Sequence, residues 1–168
     1  MLLLVAAAGA SAQDKSDWER AQEKRNWREV EVLPPAYPSA QNLLPFFVSS
    51  ASRFEFFVDA ASLSVGEDGV VRYTLVARSA QGAESVSYEG IRCSTREVRI
   101  FATGRAANHA WSRRAGPWRR IEARSVQRWH NALAAEFFCA GGVALYSAEE
   151  GVAALRRGGH PRADRGGG

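Results

Sequence analysis

The densest run of side chains able to do chemistry is Trp111-Ser112-Arg113-Arg114-Ala115-Gly116-Pro117-Trp118-Arg119-Arg120. Trp111 and Trp118 offer π faces, and Arg113, Arg114, Arg119 and Arg120 offer guanidinium forks, so together they form a candidate anion-binding segment. Cation–π contact and charge-assisted hydrogen bonds are the chemistry that holds phosphate or another anion. The competing reading is that both tryptophans anchor the Gly-Pro loop on the core while the arginines stay in water.

The remaining reactive groups are sparse. Cys93 and Cys139 have no C-x-x-C spacing, and His109, His130 and His160 fall at no ligand-like interval from either, so no metal site is expected. An exported chain instead oxidises such a pair to a structural disulfide. Serines are plentiful, but no G-x-S-x-G elbow or phosphate-binding glycine loop appears. His130 shares an apolar helical stripe with Val126, Trp129, Leu133 and Phe137, the place of a hydrogen-bonded core or rim histidine. Asp59 and Glu89 are available as paired carboxylates, as such pairs are in any sheet domain. No catalytic residue and no cofactor is expected.

The elements that must position these groups follow from periodicity. Ser16 to Glu31 is highly charged and reads as a short solvent-facing helix, and Pro34, Pro35 and Pro38 then impose an extended strap. From Arg53 the apolar period is two. Phe54, Phe56 and Val58 begin one strand, Val71, Tyr73, Leu75 and Ala77 share a face of the next, and Val86 and Tyr88 point inward from a third. The turns Gly66-Glu67-Asp68-Gly69 and Ala80-Gln81-Gly82 connect them. Arg72, Thr74, Arg78, Ser85, Ser87 and Glu89 are expected on one polar, solvated face suited to docking. After Gly90 the inward set becomes Ile91 and Cys93, which predicts a β-bulge at Gly90. Val98, Ile100 and Ala102 form a further strand. The closing helix has Ser125 as its N-cap candidate and stops at Gly141-Gly142. Ser147 to Arg157 is a marginal helix.

The fold class is therefore α+β: an antiparallel meander of about five or six strands with one C-terminal helix, stapled by Cys93–Cys139. Residues 1–12 read as a signal peptide, an apolar run ending in Ala10-Ser11-Ala12, whose missing basic n-region points to a start further upstream. Residues 13–45 are a charged segment and proline strap, 46–139 the domain, and 140–168 a low-complexity tail expected to be disordered. The 168 residues carry a net charge of +4. Most of it lies in the tail, where Arg156, Arg157, Arg162 and Arg165 face only Asp164, so nucleic acid is not an expected partner. No transmembrane segment is expected.

The blocks Phe57-Val58-Asp59-Ala60, Ser62 to Gly66, Asp68 to Val76 and Ser87 to Cys93 resemble the cryptic-neisserial-protein-like family of small exported bacterial proteins. Trp111, Trp118, the Arg128/His130 helix and Phe138-Cys139 fit its second half. The resemblance runs from about Trp27 to Cys139 and implies a single domain in the envelope, with no catalytic residues to carry over. The expected role is non-enzymatic: a periplasmic binding or envelope-support domain whose partner is an envelope protein. The alternatives are a binder of anionic glycolipid or polymer through the Trp/Arg segment, and a hydrolase uniting His130 with an acid and a hydroxyl.

Overall fold

The computed structural model describes residues 16–124 and 126–163. The proposed signal peptide, Ser125 and residues 164–168 lie outside them. A first helix, α1 (Asp17–Asn26), opens with a capping box in which Ser16 and Glu19 satisfy each other's backbone N–H groups. It stops at Trp27. The chain then runs through the proline strap and one short turn of 3-10 helix into β1 (Leu43–Phe46).

The strands β2 (Phe54–Val65), β3 (Val70–Ser79), β4 (Glu84–Arg92), β5 (Glu97–Arg105) and β6 (Ala110–Ser112) follow as a meander. A two-residue β7 (Arg119–Arg120) also pairs with β5, giving seven strands. Gly69 and Gly82 take φ of 73° and 84° in the two hairpin turns, conformations that favour glycine. Strand β2 is bulged between Asp59 and Ser64. There the Asp59 backbone carbonyl accepts from the Ser62 hydroxyl, which in turn accepts from the Thr74 amide, 2.8 Å in both cases.

The closing helix begins as α2 (Arg128–Ala132) and widens into a π-type turn over Leu133–Phe138, where the Cys139 N–H reaches the Ala134 carbonyl five residues back. This widening buries Leu133, Ala134, Phe137 and Phe138 together. Their layer packs on Phe56, Val58, Val71, Tyr73, Leu75 and Ile91. Cys93 and Cys139 are disulfide-bonded, with Cα atoms 5.3 Å apart, and so tie the end of this segment to the end of β4.

The opposite face of the sheet is closed by the strap, which corrects the expected solvated face at Arg72 and Thr74, while Arg78 and Ser85 stay in contact with water. Arg72, only 1% exposed, bonds Asp68 at 2.5 Å and donates to the Val30 carbonyl at 3.0 Å. The Val30 N–H and the Trp27 indole N–H bond Asp68 in return. Arg92 stacks 3.9 Å from the Trp27 ring centroid, and Arg99 pairs with Glu29. Burial on both faces also corrects the expected bulge at Gly90. Strand β4 keeps unbroken register with β3, with Val86 and Tyr88 toward the strap and Ile91 toward the helices. The irregularity lies between β4 and β5, where Tyr88 pairs with Ala102 and Glu89 with Ile100, leaving Phe101 as the extra residue.

The segment after Cys139 is folded as far as Ala163 rather than forming a low-complexity tail. Helix α3 (Ala148–Arg157) has a Ser147 N-cap, acidic residues in its first turn, arginines in its last and a left-handed Gly158 at its end. The chain then doubles back. The buried His160 bonds Glu150 at 2.9 Å through Nε2 and accepts the Arg162 N–H at Nδ1, while its own N–H donates to the Glu136 carbonyl. Because Nδ1 accepts, Nε2 carries the proton given to Glu150. Burial works to raise the Glu150 carboxyl, but the Tyr146 N–H, His160 and Arg162 together hold it below its ordinary range. These charged anchors are what a Gly/Arg-rich composition conceals.

Candidate functional site: a buried carboxylate–histidine cluster behind a cationic cleft

Antiparallel pairing decides which groups meet. The Ala80–Gly82 hairpin puts Tyr73 opposite Glu89 and Leu75 opposite Ser87. Directly paired residues share a face, so Ser87 and Glu89 point at the helices, where Tyr73 and Leu75 already sit. Above them α2 lowers His130 onto the sheet. The Glu89 Oε2 accepts from the Tyr73 hydroxyl at 2.9 Å and meets His130 Nε2 at 2.8 Å. Its Oε1 accepts from the Ser87 hydroxyl at 2.6 Å. Glu89 is 2% exposed and His130 3%. A buried carboxylate survives only when its lone pairs are met, and here both oxygens are. Burial, and then the Glu89 charge, push the Tyr73 phenol well above its ordinary range. Tyr73 therefore stays a hydrogen-bond donor.

His130 borders a cleft of about 170 Å³ together with Arg119, Arg120, Glu122 and Gln127, with Val98 and Ile121 at its apolar base. The His130 Nε2 is taken up by Glu89. The rim is held in place by β7 on β5 and by the Ile121 N–H, which donates to the Arg96 carbonyl at 2.9 Å.

The Trp/Arg segment is divided by the fold. Trp111 donates its indole N–H to the Pro35 carbonyl at 2.8 Å and packs against Tyr37. Trp118 packs edge-on against both Trp27 and Phe101. The loop between them is pinned to β5, where the Gly116 N–H bonds the Ile100 carbonyl and its own carbonyl accepts from Arg99. Both tryptophans thus pack into the strap layer rather than standing free. Arg113 and Arg114 are exposed on the loop, whereas Arg119 and Arg120 belong to the His130 cleft.

Two other expectations are also rearranged. Asp59 and Glu89 are not paired: Asp59 lies opposite Thr74 and Glu89 opposite Tyr73, neighbours on β3 that point to opposite faces. Val126 is off the buried stripe at 95% exposure, since α2 starts only at Arg128. The Glu89 network was hidden behind the apparent outward parity of Ser87 and Glu89. The signal that locates it is the hairpin itself, because its register follows from the turn. Among the described residues no group of three His, Cys, Asp or Glu side chains is placed to hold a metal, and no helix is long and apolar enough to cross a membrane.

A family model described as the CNP1-like family matches residues 22–156. The chain belongs to this family. The match takes in α1 from Gln22, the strap, the whole sheet and α3 as far as Arg156, so the family pattern continues past Cys139 into the doubled-back segment. No curated protein and no solved structure matches the chain.

Proposed function

We propose that this CNP1-like protein is exported to the periplasm and acts there as a non-enzymatic binding domain of the envelope, docking a protein partner at one end of its sheet. The observation that carries the reading is where large apolar side chains remain in water. Large apolar side chains are exposed elsewhere too, among them Trp18, Leu33 and Tyr146, but Phe47 (70% exposed), Phe54 (49%) and Val126 come together at the β1–β2 end. They line two adjoining clefts of about 470 and 380 Å³, floored by Phe56 and bordered by Trp129. Concentrated apolar exposure of this kind marks interaction surfaces. The disulfide supports an oxidising compartment.

Binding is favoured over hydrolysis by the direction of the hydrogen bonds. Both hydroxyls of the buried cluster donate to Glu89 and neither to His130, so among the described residues of that cluster no hydroxyl is bonded to the imidazole as a nucleophile would be.

The test is capture from envelope extract with the mature protein and with a Phe47→Ser/Phe54→Ser variant, at low and high salt. The reading requires a defined protein that survives high salt, because apolar burial is not screened. It also requires that protein to be lost with the variant. Equal capture by both baits refutes it.

A further inference from the structure

The cleft at His130 has a composition that the docking end does not share. Two arginines stand at its rim, an amide (Gln127) and a carboxylate (Glu122) flank it, and a nearly fully buried histidine borders it. Arginine forks match the oxygens of a tetrahedral oxyanion. The histidine is held by Glu89, which is itself fixed by Tyr73 and Ser87, so its ring is pre-oriented before any ligand arrives. Pre-orientation lowers the ordering cost of binding.

We infer that the cleft formed by Arg119, Arg120, Gln127 and His130 is a binding subsite for a phosphate group, either free or carried on an envelope glycolipid. The inference rests on the reading of the chain as a binder rather than a catalyst, but uses none of the residues of the docking end. Hydrogen phosphate suits this site because it both donates and accepts. Its oxygens accept from the Arg119 and Arg120 guanidinium groups, and its O–H can donate to the Glu122 carboxylate. A fully deprotonated sulfate lacks that donor. Glu122 is the one carboxylate on the rim and thus selects for an anion that carries a proton. The size is also appropriate: about 170 Å³ is enough to seat a phosphate group, the rest of a glycolipid lying outside the cleft.

The experiment is titration of the purified mature protein with inorganic phosphate at constant ionic strength, followed by NMR of the His130 ring and of the Arg119 and Arg120 side chains. Saturable shifts confined to these groups are expected, with sulfate binding more weakly. In an Arg119→Gln/Arg120→Gln variant the affinity falls about tenfold or more, as loss of charge-assisted bonds implies. Both arginines are exposed, so the variant keeps the wild-type backbone spectrum. Competition by micelles carrying a phosphorylated glycolipid, but not by its dephosphorylated form, identifies the headgroup as the source. Phosphate binding without such competition identifies the free ion. Shifts that drift with salt without saturating, or equal affinity in the variant, overturn the inference. Capture through Phe47 and Phe54 is unaffected by either result, so failure here is distinguishable from failure of the docking reading.

Discussion

The two faces of the sheet bury charge in opposite ways. Toward the helices a single carboxylate, Glu89, is met by Tyr73 and Ser87 from the sheet and by His130 from the helix, 41 residues on. Toward the strap the buried group is a guanidinium, Arg72, whose partners are Asp68 four residues away and the Val30 carbonyl from a distant part of the chain. The helix face is closed by packed apolar side chains and a disulfide. The strap face is closed by an irregular segment that has no ladder of its own and is held by Asp68, Arg72, Arg92 and Arg99. Apolar area is non-directional, whereas an irregular strap must have its backbone groups bonded individually. That is why cations cluster on the second face.

The comparison breaks most severely at Arg72. Arg72→Ala leaves the Asp68 carboxylate buried without its cation, and a loss of about 3–5 kcal/mol is expected by urea unfolding. The double variant Arg72→Met/Asp68→Asn should recover most of that loss, because no uncompensated charge remains. If Arg72→Ala costs less than the recovery margin, the strap face is not held by this pair.

The helix face responds next to loss of its staple. Cys93→Ser/Cys139→Ser opens a loop whose ends are 46 residues apart in sequence. The chain-entropy argument puts the cost at about 4 kcal/mol or less, the mechanism being model-dependent. Hydrogen exchange should show the Leu133–Phe138 layer opening before the strap does.

Glu89→Gln sharpens the contrast further. It turns one acceptor oxygen into a donor facing donors, and a cost of about 2 kcal/mol is expected. It also releases the His130 ring, which a histidine NMR spectrum will register as altered chemical shifts. An unchanged ring environment would mean that the helix, and not Glu89, orients His130.

The smallest effect is on acid stability. Burial works to raise the Asp68 carboxyl, but Arg72 and the Val30 and Val70 N–H groups outweigh it and hold the carboxyl below its ordinary range. With the folded value depressed, the stability Asp68 contributes is complete above its unfolded range near about 4 and is lost as the pH falls below it. Asp68→Asn should flatten the acid limb of a stability-against-pH curve. A limb of unchanged slope would place the acid sensitivity elsewhere.

Much of the helix face was legible in the residues. Val71, Tyr73 and Leu75 alternate, Leu133 and Phe137 follow helical spacing, and two cysteines allow one pairing. The strap face was not, because Arg72 and Thr74 look like ordinary outward residues of a half-buried strand. For Arg72, it is the arrival of Trp27 and Val30 from some 40 positions earlier that closes the site, at Asp68 and at the guanidinium itself. The cleft was half legible: Arg119, Arg120 and His130 were each conspicuous, but nothing local joined them. Beyond Cys139, Glu150, His160 and Arg162 were too scattered to be read as one network.

The sequence by itself determined the meander, its turns, the disulfide and the family, since each depends on near neighbours, on a pattern of period two or on a unique pair. The tertiary structure alone decided which polar residues are buried, which tryptophans are anchors and which arginines share a cleft with His130. Those outcomes depend on contacts between segments remote in the chain, and such contacts leave no periodic trace in the order of the residues.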